Sequence, residues 1–337
     1  MNIRRAALSS SMGLMAILYS LGAAAQVDLS GNWALQNFQH ALEAVNGPFP
    51  NFFAGVPLNK EGISAASTYS GDEREELNRQ CAPWLVQYIV EGPFGVQIQP
   101  VKDPVNDNVI GWYMTGALDR APLTIWMDGR KPPPPDALHT FSGFATGVWR
   151  GPTLVTHVIN IKDGRLTRNG APMSNQATFD MFITRHDDEL TITGIVRDPV
   201  YLGAPYPLAQ VFRLGSASID DGAALQIRCS PAEVISGLSD GYHASQFLPG
   251  QSSTLNFALK KWNIPLKAAE GGTQTMYPEF QMHLRGYGAP PGYCQMLCCA
   301  PGTGPGLGFV CPAPPQPGSP PAGGGPDRPG RPRDRAK

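Results

Sequence analysis

The sequence predicts a mostly β protein, namely an antiparallel barrel of about 8–10 strands with short helices and a C-terminal covering arm. Short segments of alternating or β-branched residues recur about every 8–12 residues between positions 122 and 214. Gly, Asn, Asp or Pro residues separate these segments, as they do in an antiparallel meander. The chain is also rich in glycine and proline, is poor in charge and has no long amphipathic helical pattern.

The strands are predicted in order along the chain. The first lies in VDLSGNW, from Val27, and the strand pattern resumes at Val86 with YIVEGPFGVQIQP. The further strand segments are VIGWYM, LTIWMDGR, ATGVWRG, TLVTHVIN, ATFDMFITRH, LTITGIV and AQVFRL. Together they make roughly nine or ten strands, enough to close a barrel around a ligand-sized interior.

Two helices are predicted outside the strand segments. Ser70 and Glu73 have capping-box spacing, and the acidic run that follows suits the start of a helix. In SSTLNFALKKW, residues 252–262, apolar side chains recur at i,i+4 spacing, so this helix can cover one end of the barrel.

The N-terminus predicts export to the periplasm or the medium. Arg4 and Arg5 precede an apolar stretch, residues 12–23, that is shorter than the ~20 residues of a spanning helix. Small residues at 23–25 then favour signal-peptide cleavage over the alternative, a membrane anchor. The predicted organisation is a signal peptide at 1–25, a barrel domain at 26–228, an arm with a Cys-rich segment at 229–311 and a disordered Pro/Gly/Arg tail at 312–337.

Six cysteines in an exported chain predict disulfide bonds. Four of them crowd into the C-terminal segment, where Cys298 and Cys299 are adjacent and no CxxC pair occurs. This spacing fits zinc ligation poorly, so we predict no metal site.

Charge and motifs exclude several classes of function. The formal net charge is −1, which argues against non-specific nucleic-acid binding. The chain contains no Gly-x-Ser-x-Gly elbow, phosphate-binding loop or dinucleotide fingerprint. We therefore predict no cofactor, no nucleic-acid partner and no stable membrane span, and the oligomeric state stays open.

Several motifs resemble those of a large family of exported bacterial proteins of unknown function. They are DGRxxPPPDALHTFSGF, RNGAPMS, DPVYL and TMYPEF, and the resemblance covers about residues 84–285. Such proteins are common in bacteria that degrade aromatic compounds, so the resemblance implies aromatic-compound catabolism. Asp180 stands in the strand where relatives commonly carry a glutamate.

A second resemblance concerns architecture. Gly31-Asn32-Trp33 resembles the opening of lipocalin-like barrels, in which the tryptophan closes one end. Some small barrels of this kind, such as phenolic acid decarboxylases, are enzymes that need no cofactor. Since no sequence motif is shared with those enzymes, this is an analogy of fold.

The polar residues of the meander supply the candidate site. The predicted catalytic residues are His139, Arg168, Asp180 and Tyr201. Those predicted to bind substrate are Tyr113, Trp126, Asp128, Arg130, Trp149, His157 and Asn169. A histidine suits general base catalysis and an arginine suits binding of a carboxylate. Each has a structural alternative: His139 fixing a Pro-rich corner, Arg168 exposed in a turn, and Asp128 in a local ion pair with Arg130.

These residues predict an exported, cofactor-independent enzyme of the lyase type. It would carry out a decarboxylation, dehydration or isomerisation on a hydrophobic small molecule, above all an aromatic one, inside the barrel. One alternative is a periplasmic carrier with the same pocket and no turnover. Another is a structural protein of the cell envelope, whose barrel would be filled by bulky side chains at every inward position. An enzyme needs a titratable group within reach of the ligand, whereas a carrier can use an apolar cup with one orienting polar group.

Overall fold

The computed structural model describes residues 27–37, 53–69, 82–92, 95–116, 120–215, 265–280, 300–301 and 309–310. They fall into two units, within residues 1–288 and 289–337. The second unit is described only at a pair of two-residue strands, β12 (Ala300–Pro301) and β13 (Phe309–Val310). Several predictions lie outside the described residues: the signal peptide, all six cysteines, the helices predicted from Ser70 and over 252–262, and the tail.

The predicted barrel is confirmed in the first unit. Its strands are β1 (Gly31–Asn37), β2 (Val96–Lys102), β3 (Val109–Gly116), β4 (Leu123–Trp126), β5 (Phe144–Arg150), β6 (Thr153–Ile159), β7 (Gly164–Arg165), β8 (Pro172–Met173), β9 (Thr178–His186), β10 (Glu189–Arg197) and β11 (Tyr206–Leu214). All except β7 and β8 close into a nine-stranded barrel in the order β1-β11-β10-β9-β6-β5-β4-β3-β2. Strands β7 and β8 form a separate hairpin between β6 and β9.

One neighbouring pair, β4 and β5, is parallel, and the other eight pairs are antiparallel. An odd number of strands cannot close with antiparallel neighbours only, so one parallel pair is a geometric requirement. The Pro-rich connection over residues 127–143 makes it possible, because a parallel neighbour is reached only by a long crossover. The barrel is therefore mixed where the sequence predicted an antiparallel one.

The interior wall is built in register rows, because alternate residues of each strand point inward. One row joins Trp112, Ile125, Ala145, Val158, Phe179, Val196 and Tyr206. A second row joins Trp149, Leu154, Ile183, Ile192 and Gln210. Between them lie Gly147 and Gly194, where an added Cβ would meet Ile125 and Phe179. These glycines let large neighbours pack across the interior.

The helices of the first unit are short: α1 (Lys60–Ala66), α2 (Tyr88–Glu91), α3 (Leu266–Ala269) and a 3₁₀ turn (Thr273–Met276). The strand predicted from Val86 is wrong over α2, and β2 begins only at Val96. All four α2 residues are buried, which hides any amphipathic period that could have indicated a helix. Helix α2 lies against β3, β10 and β11, so it closes one end of the barrel as a plug.

Trp33 lies on β1, opposite Leu214 at the end of β11 and Val96 at the start of β2. Its side chain is fully buried, and Nε1 donates a hydrogen bond to the carbonyl of Leu29 at 3.0 Å. The guanidinium of Arg185 lies over the indole ring, 5.2 Å from its centre.

The described part of the C-terminal arm, residues 265–280, packs on the segment 53–58. Phe53 N donates to the carbonyl of Ala269, and Gly55 N donates to Oγ1 of Thr275, which is itself buried. These bonds anchor the arm to the first unit.

Candidate functional site

Gln210, on the inner wall of the barrel, is a buried amide side chain whose hydrogen bonds are unfilled among the described residues. Gln210 lies on β11 between Leu208 and Phe212 and opposite Ile192, and it is 0% exposed. Within the part of the chain that the structure describes, neither its amide nitrogen nor its oxygen has a hydrogen-bond partner. By contrast, Oγ1 of Thr156, the other buried polar residue on this wall, accepts a bond from Met181 N.

Two tryptophans of the wall also have an unfilled hydrogen bond. Trp112 on β3 and Trp149 on β5 face the interior, and the Nε1 atom of each is buried without an acceptor among the described residues. Trp149 is one of the residues predicted to bind substrate. Buried donors in folded proteins are almost always paired with protein, water or a ligand, so these atoms mark a place where a polar group is expected.

The plug brings an acid to the same interior. Glu91, the last residue of α2, is fully buried, and the hydroxyl of Tyr206 donates to its Oε1 at 3.3 Å. Gln87 fixes the start of the helix, since its Nε2 donates to the carbonyls of Arg165 and Leu166 at 3.1 and 3.0 Å. The ring of Tyr88 stacks on that of Trp84, with centres 4.8 Å apart.

Arg120, buried and next to the plug, is bonded to the main chain. Nη1 donates to the carbonyl of Gly95 at 3.0 Å, and the guanidinium lies against Gly92, where a Cβ would be 2.7 Å from Nε. Burial lowers the pKa of Arg120 to about 10, which still leaves it charged at neutral pH. Besides Gln87 and Tyr88, this end of the barrel therefore carries the acid Glu91, the phenol of Tyr206 and Arg120.

The structure joins two of the predicted residues, His157 and Asp180, on the outer face of the barrel. Nδ1 of His157 is 2.6 Å from Oδ1 of Asp180, and Arg197 donates from Nη1 to Oδ2. The histidine side chain is 55% exposed. A carboxylate on Nδ1 leaves Nε2 directed away from the pair, which is the arrangement of an oriented proton acceptor, here on an open surface.

His139 lies in the connection between β4 and β5. Its Nδ1 is 2.9 Å from the carbonyl of Ile161, and its Nε2 is 3.3 Å from that of Pro135. Both ring nitrogens thus face main-chain carbonyls, and Asn160 also donates to the carbonyl of Pro134 at 3.2 Å. The histidine braces the Pro-rich corner, as the structural alternative stated.

The cluster of Trp126, Asp128 and Arg130 is local. Arg130 binds both carboxylate oxygens of Asp128 and lies over the Trp126 ring, 3.3 Å from its centre. The hydrogen bonds from Arg130 lower the pKa of Asp128 to about 2. The three side chains thus form one stacked ion pair on the rim.

The remaining predicted residues lie in turns or on the outer surface. Tyr201 follows Asp198, a buried carboxylate that accepts bonds from the N and Oγ of Ser174 and from the N of Val200 and of Tyr201. Asn169 is buried and accepts from Oγ1 of Thr167 at 2.6 Å, while the carbonyl of the neighbouring Arg168 accepts from Tyr69. Tyr113 is 36% exposed on the outer face of β3.

The interior residues Glu91, Tyr206 and Gln210 are absent from the sequence-based candidate list. The sequence does contain a signal for Gln210. This residue lies between Leu208 and Phe212 on the same face of a strand, so it is a polar residue on an otherwise apolar face. Glu91 is likewise an acid within an apolar run, LVQYIVEG.

Among the described residues, no group of three or more His, Cys, Asp or Glu side chains is placed to hold a metal ion. Nor does any helix in those ranges have the length and apolarity that crossing a membrane requires. Comparison with protein-family models, with curated proteins and with solved structures found no significant match to this chain. The resemblance to exported bacterial proteins therefore stays a prediction.

Proposed function

We propose that this exported protein binds a small hydrophobic molecule, an aromatic compound in the first place, inside its barrel and converts it without a cofactor. The reaction would be of the lyase or isomerase type, in which a proton moves and the substrate itself stores the charge. The proposal places the reaction at the plugged end of the barrel, where the acid of the interior lies.

The observation that carries the proposal is the Gln210 amide, which is fully buried with neither end bonded among the described residues. Leaving a buried amide unpaired costs roughly 1–3 kcal/mol for each unmade hydrogen bond. A ligand with a polar group would recover this energy, while the apolar wall around Gln210 would bind the ligand's hydrocarbon part.

Glu91 and Tyr206 support turnover. A carboxyl group at full burial, with a phenol hydrogen-bonded to it, can hold a proton and deliver it within a water-poor interior. In this proposal Glu91 moves the proton and Tyr206 positions the carboxyl group. His139, Asp180 and His157, by contrast, bond to a loop or face outward.

The alternative function is a periplasmic binding protein without turnover. It is favoured by the chemistry of the wall, because the side chains of its described strands with unfilled hydrogen bonds are an amide and two indoles. None of these groups titrates near neutral pH, and an apolar cup with a few orienting polar groups suffices for a carrier.

A thermal-shift screen of the mature protein tests the proposal. The panel consists of phenols, aromatic acids and terpenoids, and each compound that raises Tm is incubated with the protein and followed by mass spectrometry. We expect at least one stabilising compound that is consumed over time, and we expect Glu91→Gln to bind it but to lose turnover. Circular dichroism and Tm of Glu91→Gln establish that the variant is folded.

Paired variants locate the binding. Gln210→Leu should abolish or weaken the shift, whereas Gln99→Leu, the same change at an exposed position on β2, should leave it intact. A compound that binds and is never consumed would identify a carrier. A panel without any stabilising compound, or equal turnover in Glu91→Gln, would refute the proposed enzyme.

A further inference from the structure

We infer that the polar group recognised inside the barrel is neutral and presents a hydrogen-bond donor beside an acceptor, as a carboxamide, a lactam or an undissociated carboxylic acid does. This inference rests on the proposed function and specifies the substrate class of the same site. Its basis is the chemistry of Gln210 and of the wall around it.

The side chain of Gln210 ends in a planar amide group. A glutamine side chain carries an NH₂ donor and a carbonyl acceptor side by side in one plane. Because both ends of Gln210 lack a partner among the described residues, a ligand group that fills only one would leave the other buried and unpaired. A group with an acceptor and a donor in the reverse order satisfies both ends at once.

Among the described residues, the strand neighbours of Gln210 carry no charge. Along β11 Gln210 is flanked by Leu208 and Phe212, and its cross-strand neighbour is Ile192, all of them buried. An ionised carboxylate next to these side chains would lose its hydration without gaining a counter-charge from the wall. A neutral group therefore suits this part of the wall better than an anion does.

Two ionisable residues, Arg120 and Glu91, lie at the plugged end of the barrel. Arg120 could in principle receive an anion, but Nη1 is committed to the carbonyl of Gly95. Glu91 accepts from Tyr206, and a carboxyl group offers an anion no counter-charge. Neither residue thus changes the expectation that the group bound at Gln210 is uncharged.

The indole N–H groups of the wall could bind a second polar group of the ligand. Trp149 belongs to the same register row as Gln210, and its Nε1 is buried without an acceptor among the described residues. Trp112 has an unfilled donor of the same kind. A ligand with a further acceptor, such as a second carbonyl or an ether oxygen, would use these donors.

The test uses one aromatic scaffold with four polar groups: benzamide, methyl benzoate, sodium benzoate and toluene. Affinity of the full mature chain for each is measured by ligand-observed NMR at pH 7. We expect benzamide to bind about tenfold or more tightly than the ester, which corresponds to about 1.4 kcal/mol for the lost hydrogen bond, and to bind more tightly than benzoate. In Gln210→Leu this preference should vanish, and in Gln99→Leu it should persist.

A ligand-free measurement accompanies the binding series. Replacing an unpaired buried amide by leucine, which has a similar volume, removes the unmet hydrogen bonds, so Tm of Gln210→Leu should be unchanged or higher. A Tm lowered by several degrees would mean that the amide is bonded within the protein, and this would overturn the inference.

The remaining outcomes separate the inference from the proposed function. Equal binding of all four compounds, tighter binding of benzoate, or a benzamide preference that survives in Gln210→Leu would overturn the neutral donor–acceptor inference while leaving interior binding in place. Failure of the whole series to bind would also overturn it, whereas the wider panel of phenols, acids and terpenoids decides the proposed function.

Discussion

Nδ1 of His157 and Oδ1 of Asp180 are 2.6 Å apart across the antiparallel pair β6–β9, where the two residues lie directly opposite each other. A carboxylate can only accept a hydrogen bond, so Nδ1 of the histidine must carry the hydrogen. The second oxygen of Asp180 accepts from Arg197, which holds the carboxylate in this orientation.

We therefore predict that the neutral ring of His157 is the Nδ1–H tautomer. Nitrogen-15 NMR of the histidine side chains shows which ring nitrogen carries the hydrogen. Asp180→Ala should remove the preference for Nδ1. Asp187→Ala is the control, since Asp187 lies beside the exposed His186 in a hairpin turn. Protonation at Nε2 in the unmutated protein would contradict the prediction. Because the pair lies on the outer face of the barrel and the histidine is 55% exposed, Asp180→Ala should lower the free energy of unfolding by about 1 kcal/mol.

The Asp128–Arg130 pair predicts a specific pH dependence. Hydrogen bonds from Arg130 lower the pKa of Asp128 from 3.8 to about 2, so the pair is complete above about pH 4 and is lost as the pH falls through about 2. Arg130 stacks on Trp126, and the indole N–H resonance of Trp126 should therefore shift with a midpoint near pH 2. Asp128→Asn should abolish this titration. A midpoint near 3.8 would show that the ion pair does not form in solution.

The sequence predicted the strands well because burial on one face imposes a period of two, which β9 and β10 show clearly. It failed at α2, where every side chain is buried and no period remains. The parallel β4–β5 pair follows from barrel closure, a property of all nine strands together that no single segment encodes.

The candidate site was harder to predict, for a physical reason. Polar residues in turns are conspicuous in a sequence, but His139 and Asp198 form hydrogen bonds with main-chain groups of other loops. The interior residue Gln210 looks ordinary until the strand's inward face is identified.

His139 is predicted to act as a brace. His139→Ala removes the contacts to the carbonyls of Ile161 and Pro135, so the corner should loosen and the free energy of unfolding should fall by about 1 kcal/mol. Leu138 beside it is 87% exposed, which makes it the expected site of faster chymotrypsin cleavage. His186→Ala, at a histidine that is almost fully exposed, is the control. Cleavage at an unchanged rate would mean that other contacts hold the corner.

A substitution at Gly92 tests how the plug, helix α2, packs against Arg120. The φ of −66° and ψ of 151° at Gly92 suit any residue, so an alanine there meets no backbone strain. An added Cβ would nevertheless lie 2.7 Å from Nε of Arg120 and 2.8 Å from the carbonyl oxygen of Tyr88.

Gly92→Ala must therefore displace either the buried guanidinium or the end of α2, and it should lower the free energy of unfolding by about 1–3 kcal/mol in urea denaturation. Gly164→Ala is the matched control, because its Cβ would meet only the flexible side chain of Leu85, at 3.0 Å or more. If the two variants lost the same small amount of stability, Arg120 would not be packed against the plug. A larger loss in Gly92→Ala follows directly from that packing.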